Sequence, residues 1–161
     1  EGLSTIIQTL KTDPTAIETV WVSIIGFAGN SKTLVPLQEI TNFYPPKFPI
    51  GSGTSLSKGL GHLMFELRKN TVKTTAEQKG DWKPIIFLFT DGVPTDDSES
   101  SITEWKQNWS NSANLIIVSF GGETDIQILG QLSDNLLFFK NIVNLCIIKI
   151  ELKNESVFIN F

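Results

Sequence analysis

The run Ile85-Ile86-Phe87-Leu88-Phe89, followed by Thr90-Asp91-Gly92-Val93-Pro94-Thr95-Asp96-Asp97, decides how this chain is read. Five consecutive apolar residues leave no polar face, so the segment fits a strand covered on both sides, as in the middle of a parallel sheet. Asp-Gly is turn chemistry and ends the strand. A carboxylate fixed there sits on the rim where open α/β sheets gather their ligands.

Upstream, Leu3, Ile6, Ile7 and Leu10 repeat at helical spacing, so the chain opens inside a helix that Asp13-Pro14 stops. Val20 to Phe27 (VWVSIIGF) is β-branched and aromatic and predicts a mostly buried strand. Lys32 to Val35 predicts a shorter, more polar edge strand that closes before Pro36. The best-defined helix runs from Ser55 to about Thr71, with Leu56, Leu60, Leu63, Met64 and Leu67 in one stripe and Ser55 placed to cap it.

Downstream of a polar, solvated stretch from Lys73 to Lys83 and the apolar run, Ser101 and Glu104 have capping-box spacing. Ile102, Trp105 and Trp109 line one side of the helix expected there. Leu115 to Phe120 is a second buried strand ended by Gly121-Gly122, Asp125 to Gln131 a short helix, and Leu136 to Phe139 a last parallel strand. Strands separated by helices of this length predict an α/β fold. The expected architecture is a doubly wound, mostly parallel, Rossmann-like sheet with helices on both faces and one antiparallel edge strand.

At 161 residues and 40% hydrophobic, the chain suits a single domain, residues 1–161, that buries a sizeable core. A net charge of −4 with no Lys/Arg cluster gives no electrostatic footprint for nucleic acid or an anionic membrane. A lone cysteine, Cys146, forms no internal disulfide, which favours the cytoplasm. Two glycosylation triplets, at Asn108 and Asn154, read against that but arise by chance at this length. No apolar run approaches the roughly 20 residues that span a bilayer. The opening Glu1-Gly2-Leu3-Ser4 lacks the basic and apolar regions of a signal peptide.

Two segments occupy the expected rim, Gly51-Ser52-Gly53-Thr54-Ser55-Leu56 before the best helix and the Asp91 turn after the central strand. Small residues let backbone pass close to an ion, Thr54 supplies a neutral hydroxyl oxygen, and Asp91 supplies a carboxylate. Hard donors of this kind suit Mg2+, with Mn2+ or Ca2+ as alternatives, whereas one Cys and one His are too few for zinc. Taken singly, each segment is ordinary turn sequence. The acidic run Asp96, Asp97 and Glu99 is read as complementing a helix N-terminus and not as a metal ligand set. His62 and the four tryptophans Trp21, Trp82, Trp105 and Trp109 read as structural.

Together, GSGTSL (Gly51 to Leu56) and FLFTDGVPTDD (Phe87 to Asp97) resemble the von Willebrand factor type A (VWA) domain. The stretch Thr74 to Asp97, with its Lys79-Gly80-Asp81-Trp82-Lys83-Pro84 run, and the features near Gln8 to Pro14, look like the TerY-like branch associated with bacterial tellurite resistance. The resemblance covers roughly residues 1–139 and leaves 140–161 as a divergent tail. It implies a metal-ion-dependent adhesion site (MIDAS) with Thr54 as second-loop and Asp91 as third-loop ligand, and Ser55 and Gly92 beside them as partner-contact positions. The first loop of such sites, Asp-x-Ser-x-Ser, is absent, as is the strand that carries it. An empty central slot would leave unpaired backbone groups at about 1 to 3 kcal/mol each. Of the tail segments, Cys146 to Leu152 (CIIKIEL) alternates like a half-exposed strand, and Val157 to Phe161 (VFINF) is the better expected fit for a buried slot.

The function this implies is a non-catalytic protein-interaction module. A bound Mg2+ would accept an acidic side chain of a protein partner, within a cytoplasmic tellurite-resistance or stress-response system. The alternatives are a metal-free scaffold and, less favoured, a Mg2+-dependent phosphoryl-transfer enzyme using Asp91 as ligand or nucleophile. Against the enzyme, GSGTSLSKG lacks P-loop spacing and no second carboxylate stands near Asp91 on its strand.

Overall fold

A computed structural model of the chain describes residues 2–48, 53–91, 93–120, 125–139 and 146–152. Helix α1 (Gly2–Thr12) ends where expected, but Asp13-Pro14 is a restart and not only a stop. Pro14 opens α2 (Pro14–Thr19), where its missing N–H costs nothing, and the Asp13 side chain accepts from the Ala16 amide. Strand β1 (Val20–Phe27) follows at once and pairs antiparallel with β2 (Ser31–Glu39). Strand β2 runs through Pro36 instead of stopping before it. The register steps from Val22↔Gln38 to Ile24↔Val35 to Ile25↔Thr33, so the ladder is irregular on both sides of Val35. An edge strand with such a bulge tolerates a residue that cannot donate.

Helix α3 (Leu56–Asn70) buries Leu56, Leu60, Leu63, Met64 and Leu67, the stripe read from the sequence. Strands β3 (Ile85–Thr90), β4 (Asn114–Phe120) and β5 (Leu136–Phe139) pair in parallel through α4 (Glu99–Asn108) and the short α5 (Ile126–Leu129). Strand β6 (Cys146–Leu152) then enters the sheet between β1 and β3, antiparallel to both, giving the order β2-β1-β6-β3-β4-β5.

The expectation of a doubly wound, mostly parallel Rossmann-like sheet is therefore corrected. A two-stranded antiparallel unit, β1 and β2, and a three-stranded parallel unit, β3 to β5, are bridged by a strand that runs against both neighbours. Parallel pairing is confined to β3–β4 and β4–β5. Nor do crossover helices cover both faces: Ile102 and Trp105 of α4 and Leu129 of α5 share one apolar cluster with the α3 stripe, Ile86, Leu88, Leu115 and Ile117. The second cluster lies under the antiparallel half. There Ile7 of α1, Ala16 of α2 and the following Ile40 and Phe43 meet Val22, Ile24, Ile148 and Ile150. Among the described residues no helix contributes to the opposite face of β4 and β5.

The central place between β1 and β3 is taken by CIIKIEL, and VFINF, residues 157–161, lies outside the described ones. Ile148 pairs with Ile24 on one side and Phe87 on the other, so both ladders beside it are satisfied. Lys149 and Glu151 give the sequence the look of a half-exposed strand, and Ile148 and Ile150, the apolar half of that alternation, are buried. Among the described residues, no helix is long and apolar enough to cross a membrane.

Candidate functional site

Two segments meet above the ends of β1 and β3. The first reaches α3 through Gly53, whose φ of +83° lies in the left-handed region that suits glycine. The Ser55 amide then donates to the Ala28 carbonyl at 2.8 Å, fixing this segment to the end of β1. The second segment leaves β3 at Thr90 and returns alongside. The Thr95 amide donates to the Thr54 carbonyl at 2.9 Å, and the Thr54 amide donates to Thr95 Oγ1 at 3.0 Å. This reciprocal pair holds the two loops in one register.

The clamp brings Thr54 and Asp91 together, as the sequence expects. The Thr54 hydroxyl donates to the Asp91 carboxylate, 3.0 Å from Oδ1 and 3.2 Å from Oδ2. Thr54 is buried and Asp91 is exposed, so a solvent-facing carboxylate is steered by a hydroxyl set in the protein wall. Ser55 is buried beside it and makes no side-chain bond to the helix end. Gly92 lies outside the described residues.

The start of α3 is instead held from the neighbouring β3–α4 loop. Asp96 Oδ2 accepts from the Ser57 amide at 3.1 Å, so an acid from the β3–α4 loop takes the place expected for Ser55. The other oxygen, Oδ1, is buried and has no hydrogen-bond partner. Ser57 and Ser101 hydroxyls meet at 2.8 Å, and Lys58 Nζ donates to the Gly29 carbonyl at 2.6 Å. The capping box expected at Ser101 and Glu104 does not form: α4 begins at Glu99, Ser101 turns to Ser57, and Glu104 pairs with Arg68. Asp97 serves its own loop by accepting from the Glu99 amide.

Thr95, Asp96, Ser57 and Ser101 are thus the residues that assemble the rim. The sequence showed Asp96 as an acid near a helix N-terminus, and the missed point is which helix. Helices α3 and α4 pack on the same face, which brings their N-termini together, and a linear reading assigns each acid to the nearer helix.

Oxygens bound to a cation at about 2.1 Å in neighbouring octahedral positions stand about 3 Å apart, the Thr54–Asp91 separation. The donor set is hard and small, so the remaining positions would go to water or to a partner. Among the described residues no group of three or more His, Cys, Asp and Glu side chains gathers to hold a metal.

His62 ties α3 to β2, with Nε2 2.8 Å from Thr33 Oγ1 and Nδ1 3.1 Å from Ser31 Oγ. Trp105 is buried and donates to the Leu132 carbonyl, Trp109 is buried, and Trp82 is exposed with Lys79 over its ring. No aromatic cage forms among the described residues.

No protein-family model matches the sequence, and no curated protein is similar enough to it to count as a relative. The fold is similar to a solved one. The chain superposes on proximal thread matrix protein 1 from the mussel byssus with a TM-score of 0.58 at 17% identity, covering 86% of this chain. The chain spans 37% of the length of that protein. A second crystal form of the same protein gives 0.49 at 18% identity over 74% of this chain and 32% of the other. At such identity the likeness concerns the fold alone.

Proposed function

We propose that this chain is a non-catalytic protein-interaction module whose rim, built on Thr54 and Asp91, carries a weak, two-ligand Mg2+ site. The observation that supports the reading is the buried Thr54 hydroxyl held 3.0 Å from an exposed carboxylate on a second loop, with both loops clamped by Thr95. A cation held there keeps open positions, and a fixed charge in a partly dry rim attracts an acidic side chain of a partner. Gly92 flanks the site in sequence and belongs to the proposed contact surface, whereas Ser55, buried beside Thr54, does not. The proposed setting, a cytoplasmic tellurite-resistance or stress-response assembly, rests on the VWA resemblance.

Titration with Mn2+, followed by water-proton relaxation, tests the proposal. Binding is expected in the millimolar range, displaced by Mg2+ and lost in Asp91→Asn. Thr54→Val is expected to weaken it while leaving the fold intact. Binding unchanged in Asp91→Asn would overturn the site, and no binding at all would favour a metal-free scaffold. Asp91-dependent hydrolysis of phosphate esters in Mg2+ would favour the enzyme.

A further inference from the structure

We infer that the surface around Trp82, at the end of β3 away from the Thr54–Asp91 rim, docks a short acidic segment of a partner protein that also carries large apolar side chains. The stretch from Val72 to Trp82 has a polar loop composition, yet it is stapled to itself. The Asp81 amide donates to the Val72 carbonyl at 2.9 Å, and the Val72 amide donates to Asp81 Oδ2 at 2.8 Å. Further out, the Gly80 amide donates to Thr74 Oγ1 at 3.0 Å and the Thr75 amide to the Gln78 carbonyl at 2.8 Å. The two limbs approach so closely that a Cβ on Gly80 would stand 2.4 Å from the Thr74 amide nitrogen. Lys73 lies over the Trp109 ring, 6.0 Å from its centroid, and ties the loop to the end of α4.

This ordered loop leaves its large apolar residues in solvent. Trp82 is 59% and Val72 40% exposed, and Phe65, two turns before Val72 along α3, is 58% exposed. Asp81 bonds to Val72 in both directions, so Trp82, the next residue, stands beside Val72 and the three form one surface. An aromatic side chain on backbone that is already ordered loses little further freedom on binding, and Trp leads the residues that anchor interfaces. An apolar surface kept in water by a bonded loop is a feature of contact sites.

Charge names the partner. Residues 69–83 hold four exposed lysines, Lys69, Lys73, Lys79 and Lys83, against two acids, Glu77 and Asp81, a local charge of +2 in a chain of −4. Asp81 is engaged by the Val72 amide, and the ion pairs among the described residues, His62–Glu66 and Arg68–Glu104, use none of the four lysines. Lys79 lies over the Trp82 ring, 5.5 Å from its centroid, so positive charge borders the indole itself. The far end of β3 is the reverse: residues 91–99 hold Asp91, Asp96, Asp97 and Glu99 and no basic residue. The six residues of β3 set the two ends about 20 Å apart, beyond the Debye length of about 8 Å at physiological salt. A short acidic segment therefore meets only the basic end. A nucleic acid or an anionic bilayer presents its charge to the whole molecule and meets the acidic end as well, which disfavours both.

Fluorescence anisotropy of the labelled peptide Glu-Glu-Leu-Phe-Glu-Asp-Leu-Phe-Glu-Glu, titrated with the full chain, tests the inference. Saturable binding is expected, weakened at least about fivefold between about 50 and about 500 mM NaCl as the Debye length shortens. Trp82→Ala is expected to weaken it about tenfold or more, as loss of an interface anchor does. Lys79→Glu, which reverses the charge beside the indole, is expected to weaken it about fivefold or more. An unchanged melting temperature shows that each variant is folded, and Lys79→Glu decides the matter if Trp82→Ala melts early. No binding would overturn the inference, as would undiminished binding in Lys79→Glu or in folded Trp82→Ala, or equal binding of the same peptide with lysine at every acidic position. Tighter binding of single-stranded oligothymidylate, or of vesicles of phosphatidylserine and phosphatidylcholine, would also overturn it and assign the surface to nucleic acid or membrane.

Discussion

Replacing Asp96 by alanine removes the acceptor that holds the first turn of α3 from the opposite loop. Losing a carboxylate cap costs about 1 kcal/mol in typical hosts, and charge-assisted bonds to backbone run to about 1.5 to 3 kcal/mol when desolvated. Asp96 is half-buried, so the lower part of that range applies. One contribution runs the other way: Oδ1 is buried without a partner, and deleting it returns about 1 kcal/mol. The net expectation for Asp96→Ala is a loss of about 0.5 to 1 kcal/mol, or about 1 to 4 °C in Tm at this chain length. Asp96→Asn keeps an acceptor for Ser57 but sets an amide NH2 without a partner where Oδ1 is buried, so it is expected to be no more stable than the parent. Urea denaturation with a constant slope measures all three. The control is Asp97→Ala, because Asp97 bonds only within its own loop, to the Glu99 amide. If Asp97→Ala costs more than Asp96→Ala, the acids serve α4 and the capping of α3 by Asp96 is wrong.

Three further outcomes are expected. His62→Ala loses both ring contacts to β2 and should lower stability by about 1 kcal/mol in urea, since the freed Thr33 and Ser31 hydroxyls are part-buried and regain water. Gly80→Ala would set a Cβ 2.4 Å from the Thr74 amide nitrogen and 2.6 Å from the Val72 carbonyl oxygen, so the loop must open; a loss of about 1 to 3 kcal/mol by thermal melting is expected, and less than about 0.5 would mean the loop shifts freely. Ile148→Ala, at a position 1% exposed, is expected to cost about 2 to 5 kcal/mol, and a near-neutral effect would remove β6 from the centre of the sheet.

Most elements were legible because burial leaves a period in the sequence. The α3 stripe and the apolar runs of β3 and β4 carry their covered faces in residue type alone. Pairing direction leaves no such mark. The composition of CIIKIEL serves a parallel or an antiparallel neighbour equally well, and alternation at Lys149 and Glu151 records two kinds of face without saying what covers them. The sheet was therefore expected to be mostly parallel, and the strand that decides otherwise is one whose sequence reads only as half-exposed.

The same limit governs the rim. Thr54 and Asp91 were legible as a pair because one lies just before and the other just after a strongly patterned segment, and pattern fixes where an element starts and stops. Asp96 was legible as a helix-complementing acid but not as the cap of α3, because that assignment depends on two helices starting side by side. The rim is consequently held by contacts separated by about 40 residues of sequence, such as Thr54 with Thr95 and Ser57 with Asp96. Its geometry depends on β3 and β1 being correctly spaced, and β6 sets that spacing by pairing with both. A lesion in β6 should therefore loosen the Thr54–Asp91 contact as well as the core, so Mn2+ affinity and stability are expected to fall together in Ile148→Ala, whereas Asp91→Asn separates them.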